Sequence, residues 1–149
     1  MQIEFIKEIN IPECAELLIK TFNREPWNDQ WTLETALKYL KEFFSFPRFV
    51  GFMIVEDGKA VGVAFCHEKT WWTKDELYVD EFYISPEVQR KGYGKALLQY
   101  IEQYIKERGL SGFILLTNRN TPAAKFYKNN GFKEIDDMIL MFKGVRGDI

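Results

Sequence analysis

The sequence predicts an α/β (α+β) fold: a mixed central sheet of about six or seven strands, flanked by about four helices. Three observations carry this. Glu56-Asp57-Gly58-Lys59 separates two apolar stretches, and Asp-Gly suits the positive φ angles of a tight hairpin, so these stretches are antiparallel neighbours. Strand, helix, strand then recurs twice, which implies at least one parallel pair, because parallel neighbours need a crossover. Between an apolar run and a helical one lies a loop with two glycines, residues 89–96.

Taken in order, residues 3–6 read as a first strand. Residues 11–23 form a helix, since Pro12 suits a first turn and Cys14, Ala15, Leu17, Leu18 and Phe22 recur at helical spacing. An aromatic, acidic loop follows, residues 24–31. Thr32 caps a second helix with Thr35 in place of the ideal acid, and Ala36, Leu37, Leu40, Phe43 and Phe44 make one stripe that stops before Pro47. Residues 49–55 and 60–67 are the hairpin strands, and 76–84 a longer one. After the glycine loop, Ala96, Leu97, Tyr100, Ile101, Tyr104 and Ile105 define a helix closed by Gly109. Residues 113–117 are a short strand. Asn120 or Thr121 caps a last helix, with Pro122 in its first turn and Gly131 at its end. Residues 132–135 and 138–142 complete the sheet as strands.

With 149 residues, 46% of them hydrophobic and 16% aromatic, the chain fits one globular domain, residues 1–149. It has no apolar run near the roughly 18 residues needed to span a bilayer and no signal-peptide core, so a cytoplasmic protein with no membrane partner is expected. The net charge of -2 and the lack of a Lys/Arg run argue against nucleic acid. The expected partner is a small molecule; a homodimer is left open, since the sequence does not reveal the oligomeric state. Cys14 and Cys66 sit far apart in apolar segments and read as buried free thiols. A single histidine cannot supply a three-histidine metal site, so no metal is expected. Cys66 and His67 are strand neighbours that point to opposite faces, which excludes a nucleophile and base pair.

The loop Gln89-Arg90-Lys91-Gly92-Tyr93-Gly94-Lys95-Ala96 is suited to an anion. Its glycines allow close backbone approach, the helix start adds open N–H groups and about half a positive charge, and its three basic side chains agree. A dinucleotide fingerprint needs a third small residue where Leu97 stands, and a nucleotide P-loop needs Ser or Thr where Ala96 stands. The pyrophosphate of coenzyme A remains.

At these residues the chain resembles the GNAT superfamily of acetyl-CoA-dependent N-acetyltransferases, whose Q/R-x-x-G-x-G/A motif is matched by Gln89, Gly92 and Gly94. The run from Asp80 to Pro86 is similar to that family's central strand and its exit, and the run from Asn120 to Phe132 to its second motif. A weaker likeness is to aminoglycoside 6'-N-acetyltransferases and polyamine acetyltransferases. The resemblance implies a GNAT-like fold, acetyl-CoA as co-substrate, and direct attack by a primary amine without a covalent acetyl-enzyme. It implies Asp80 as proton acceptor, with Glu81 as a rival that strand alternation sends to the opposite face. It places the pantetheine arm along the backbone of Phe82, Tyr83 and Ile84. The coenzyme site implied comprises those three, Gln89, Arg90, Lys91, Gly92, Tyr93, Gly94, Lys95 and Asn120. Tyr127 occupies the general-acid position, and since a phenol is a weaker acid than a thiol, its contribution is a hydrogen bond as charge develops on sulfur.

The resemblance puts the acceptor between the loop after the first helix and the central strands, which nominates Glu25, Trp27, Asp29, Trp31, Trp71 and Trp72. Acids among tryptophans suit a cation, each indole face adding about 0.5 to 2 kcal/mol. A small polyamine or aminoglycoside is the expected acceptor, and a peptide or protein amine the alternative. A non-catalytic coenzyme A-binding module and a nucleotide-binding regulator are readings from other classes.

Overall fold

The computed structural model describes residues 1–147. In chain order it comprises β1 (Gln2–Phe5), α1 (Ile11–Phe22), α2 (Leu33–Phe44), β2 (Phe49–Glu56), β3 (Lys59–Lys69), β4 (Glu76–Ile84), α3 (Tyr93–Arg108), β5 (Phe113–Leu115) and α4 (Pro122–Asn129). Short 3-10 turns at Glu8–Asn10 and Pro86–Val88 lead into α1 and out of β4. Residues up to Leu116 form one compact unit, which carries the whole sheet, and those from Thr117 form another.

The sheet has five strands in the order β1-β2-β3-β4-β5. The first four are antiparallel neighbours, and β5 joins β4 in parallel after the α3 crossover. The hairpin turn takes the conformation its residues favour, with φ of 52° at Asp57 and 76° at Gly58. Two cores cover the sheet faces. On one, Leu18 of α1 and Leu40 of α2 pack with Met53, Val63, Phe65 and Tyr83. On the other, Leu97 and Ile101 of α3 pack with Phe52, Ile54, Ala64 and Leu77. The helix boundaries follow their local chemistry. The Thr32 hydroxyl accepts from the Thr35 N–H at 3.1 Å, and the Thr35 hydroxyl accepts from the Thr32 N–H at 2.9 Å, a complete capping box without an acid. Gly109 ends α3 at φ 70°. No helix among the described residues is long and apolar enough to cross a membrane.

Two expectations change. The strands expected at 132–135 and 138–142 are not formed, so the sheet stops at five strands. A β-like composition states a propensity, whereas a strand exists only when an edge pairs with it. In the second unit the chain instead turns at Gly131, φ 92°, with the Phe132 N–H bonded to the Tyr127 carbonyl at 3.0 Å. Glu134 there pairs with Lys128 at 2.9 Å and with Arg119. The other change is a β-bulge. Phe65 lies opposite Glu81 but Cys66 lies opposite Val79, which leaves Asp80 as an extra residue in β4. Leu77 and Val79 therefore face the α3 core, as do Phe82 and Ile84 beyond the bulge, while Tyr83 faces α1 and α2. The side-chain parity of β4 has inverted at Asp80.

Candidate active site

The bulge brings the two acids of β4 onto one face. Sequence alternation expects Asp80 and Glu81 on opposite faces; with one residue inserted, Tyr78 and Asp80 before it and Glu81 and Tyr83 after it all lie on the α1/α2 side. Each carboxylate has a partner from a different element. His67 Nδ1 lies 2.7 Å from Asp80 Oδ2, and the Tyr39 hydroxyl of α2 donates to Glu81. Burial raises the Asp80 carboxyl above the usual carboxylate range, and the bond from His67 partly offsets this. Burial likewise lifts Glu81, to about 7, with the Asp80 and Asp29 charges adding to the rise and the Tyr39 hydroxyl opposing it. The Tyr39 phenol is pushed up by its own burial and then by Glu81.

The loop between α1 and α2 adds a third acid. Asn23 holds it, its amide donating to the Trp31 carbonyl at 2.8 Å and its side-chain oxygen accepting from the Trp31 N–H at 2.9 Å. Trp31 in turn donates from its indole to Asp29 at 3.0 Å and lies 4.8 Å from the Tyr39 ring. Trp27 packs edge-on to Phe22 at 5.1 Å, and Phe22 to Tyr83 at 5.6 Å. The Tyr83 side chain is buried, its hydroxyl donating to the Cys14 carbonyl at 2.8 Å, so only its backbone is available to a ligand. Glu25 is exposed and Trp72 is 85% exposed, and neither has a hydrogen bond or ring contact to this cluster among the described residues. Trp71 donates its backbone N–H to Asp75 at 3.4 Å. The sequence does not single out Tyr39, Tyr78 or the role of His67. Helical spacing puts Tyr39 on a helix without pointing it at β4, and the sequence sets His67 beside Cys66, not Asp80.

The β3 end of this face is braced from the opposite side. Glu68 is buried, accepting from Arg108 through Nε and Nη2, each at 2.8 Å, from Arg48 at 2.9 Å and from Tyr104 at 2.5 Å. These bonds, those from Arg108 first, hold the carboxyl down to about 2.

Two backbone features suit the coenzyme. β5 pairs with β4 only from Leu77 to Val79, so within the sheet Asp80 to Ile84 has β3 on one edge and an open row of polar backbone groups on the other, as an extended pantetheine arm requires. Beyond it, Gln89 donates from its side chain to the Ile84 carbonyl at 3.0 Å, Arg90 adopts φ 66° and Gly92 φ 87°. Ala96 makes the first backbone bond into α3, to Gly92 at 3.0 Å, so the N–H groups of Tyr93, Gly94 and Lys95 precede the helical ladder. No acid occupies that first turn. Two left-handed residues ahead of open helical N–H groups form a concave anion site, and these residues fit a pyrophosphate.

Within the second unit, Tyr127 is buried on α4, its ring 5.4 Å from Phe126 and 5.2 Å from Phe132. Thr121 takes the N-cap position but donates its hydroxyl to the Asn118 carbonyl at 2.9 Å, and the Asn120 N–H bonds to the Asn118 side chain at 2.8 Å. Neither Asn120 nor Thr121 caps α4 with its side chain.

Residues 11–132 match the family model described as the acetyltransferase (GNAT) family, and the chain belongs to that family. It is similar to the peptidyl-lysine N-acetyltransferase YiaC of Escherichia coli (strain K12), at 31% identity over 54% of this chain and 48% of that protein. The chain spans about half the length of the curated relatives it matches. Among solved structures, a probable acetyltransferase superposes with a TM-score of 0.79 at 19% identity, covering 99% of this chain and 100% of the other. The aminoglycoside 6'-N-acetyltransferase of Acinetobacter haemolyticus gives a TM-score of 0.76 at 16% identity, covering 97% and 99%. At those identities the likeness is one of fold.

Proposed function

We propose that the protein moves an acetyl group from acetyl-CoA to a primary amine on a small polycation such as an aminoglycoside or polyamine. The observation that carries this reading is the cluster of Asp29, Asp80 and Glu81 among Trp31 and Tyr39, on one sheet face beside the open edge of β4. Carboxylates attract ammonium groups, and aromatic faces add cation-π attraction where water is excluded. A lysine side chain or terminal amine of a peptide or protein is the second reading, favoured by the similarity to a peptidyl-lysine N-acetyltransferase.

Acetyl-CoA supplies the activated acetyl thioester when bound. The residues 89–95 hold its pyrophosphate, Asn120 adds a coenzyme contact, and the open backbone of Phe82, Tyr83 and Ile84 aligns the pantetheine arm and polarises the carbonyl through an N–H. Asp80 is the residue on which removal of the amine's proton depends. Glu81 supports it electrostatically: its hydrogen-bond partner Tyr39 is a phenol pushed further from ionisation, and offers no onward route for a proton. Tyr127 donates a hydrogen bond to sulfur as charge develops there. No acetyl-enzyme is needed, and the burial that pushes the Cys66 thiol up argues against a covalent one.

The cation site has a pH signature. Because the Glu81 carboxyl is held up to about 7, it gains charge as pH rises from 6 to 8. The KM for spermidine is expected to fall several-fold over that range in the natural protein and to stay flat in Glu81→Gln. A flat profile in both would remove Glu81 from the acceptor site.

A further inference from the structure

The only histidine of the chain lies on the same face as the acidic cluster, and its geometry has a direction. His67 on β3 is opposite Tyr78 of β4, and its ring stacks on Tyr78 at 5.4 Å and 22° while Phe46, from the turn after α2, meets it edge-on at 5.3 Å. These contacts fix the ring plane. Its Nδ1 faces Asp80 Oδ2 at 2.7 Å, within a pair whose side chains are 20% and 9% exposed. Nε2 has no hydrogen-bond partner among the described residues, and none of their buried side-chain nitrogens lacks one, so Nε2 must be open to solvent. A carboxylate against Nδ1 selects the tautomer that carries its proton there, leaving the Nε2 lone pair directed outward.

We propose that His67 Nε2 is the proton acceptor of the transfer and that Asp80 is a positioning residue that acts through it. This rests on the acetyltransferase reading given above and refines the dependence on Asp80. The balance is simple: an N–H bond of the acceptor's ammonium breaks, an Nε2–H bond forms, and the resulting imidazolium is stabilised by the Asp80 carboxylate. The freed nitrogen lone pair then attacks the thioester carbonyl, and a C–N bond forms as the C–S bond breaks. The coenzyme thiolate leaves and takes up the second proton shed by the acylated nitrogen, and Nε2 afterwards returns its own proton to water. His67 is the more exposed of the two groups, and Asp80 has one oxygen committed to it, so the order runs amine, imidazole, carboxylate. Asp80 and Tyr78 on β4 face the ring, Lys69 on its own strand lies 5.7 Å from the Tyr78 ring centre, and Glu81 with Tyr39 lies behind Asp80.

A chain with one histidine allows an unambiguous test. In nitrogen-15 spectra of the coenzyme-free protein, neutral His67 is expected as the Nδ1–H tautomer, and Asp80→Asn is expected to lose that preference. In steady-state kinetics with acetyl-CoA and spermidine, His67→Gln should lower kcat at least a hundredfold with the KM for acetyl-CoA within twofold, and should remove the acidic limb of the kcat profile, which the Glu81 effect on KM leaves untouched. Added imidazole should restore part of that loss in a more open variant, His67→Gly, and Asp80→Glu should recover more activity than Asp80→Asn. A predominant Nε2–H tautomer would overturn the proposal. So would a His67→Gln protein that keeps turnover and its acidic limb while Asp80→Asn is inactive, which would make Asp80 the acceptor and leave the enzyme reading intact. Absence of turnover by the natural protein with every amine would overturn the enzyme reading itself.

Discussion

Asp80→Asn is expected to lower kcat/KM for the acceptor amine by about a hundredfold or more, the contribution of an acid-base group, while the KM for acetyl-CoA moves less than twofold. The amide keeps the shape of the carboxylate but not its charge. It can neither hold the His67 ring in one tautomer nor stabilise a positive charge on it, and it removes one of three acids from the cluster. Stability provides the control. Burial raises the Asp80 carboxyl above its ordinary value, so its folded value exceeds its unfolded one. Such a group contributes its stability below the unfolded value, and that contribution is lost as pH rises through the folded value. At pH 8 the ionised side chain is therefore a liability, and Asp80→Asn should melt at the same temperature as the natural protein or higher. A variant that loses activity and also melts lower would point to a disrupted fold instead. Unchanged kcat/KM would remove Asp80 from the chemistry.

Tyr127→Phe is expected to lower kcat at least tenfold, with little change in coenzyme affinity. The ring sits between Phe126 and Phe132 in its own unit, so the variant keeps the packing and deletes only the hydroxyl. A hydrogen bond that strengthens as the thiolate departs acts in the transition state and not on bound coenzyme, so the loss belongs in kcat. Stopped-flow measurement of acetyl transfer separates this step from product release. Equal turnover in the two proteins would make Tyr127 a packing residue.

Much of this architecture could be read from the chain because it is written in local chemistry. The Asp57-Gly58 turn, the Thr32 cap, the closing Gly109 and the glycine loop at 89–96 each depend on a few neighbouring residues, and each formed where the sequence placed it. What could not be read depends on pairing. Residues 132–135 and 138–142 have strand-like composition, but composition does not name an edge to join. The register of β3 against β4 follows a six-residue connection, 70–75, with no turn signal, so neither the bulge at Asp80 nor the meeting of His67 with Asp80 was legible. That single inserted residue changed the chemistry most. It turned Asp80 and Glu81 from rivals on opposite faces into neighbours on one.

The acceptor loop shows the same division. Asp29 and Trp31 were legible as an acidic, aromatic pair, and their hydrogen bond joins them. That Tyr39 would link them to Glu81 required α2 to pack on the sheet with Tyr39 within reach of β4. Glu25 and Trp72 had the same composition signal without that tertiary support.

The most direct test of the central claim is release of free thiol when the purified protein is mixed with acetyl-CoA and, in parallel, spermidine, kanamycin, a lysine-containing peptide and no acceptor. Rapid release is expected with spermidine or kanamycin, slower release with the peptide, and none without an amine. Tight binding of acetyl-CoA without release for any acceptor would contradict the claim and leave a coenzyme-binding module in its place.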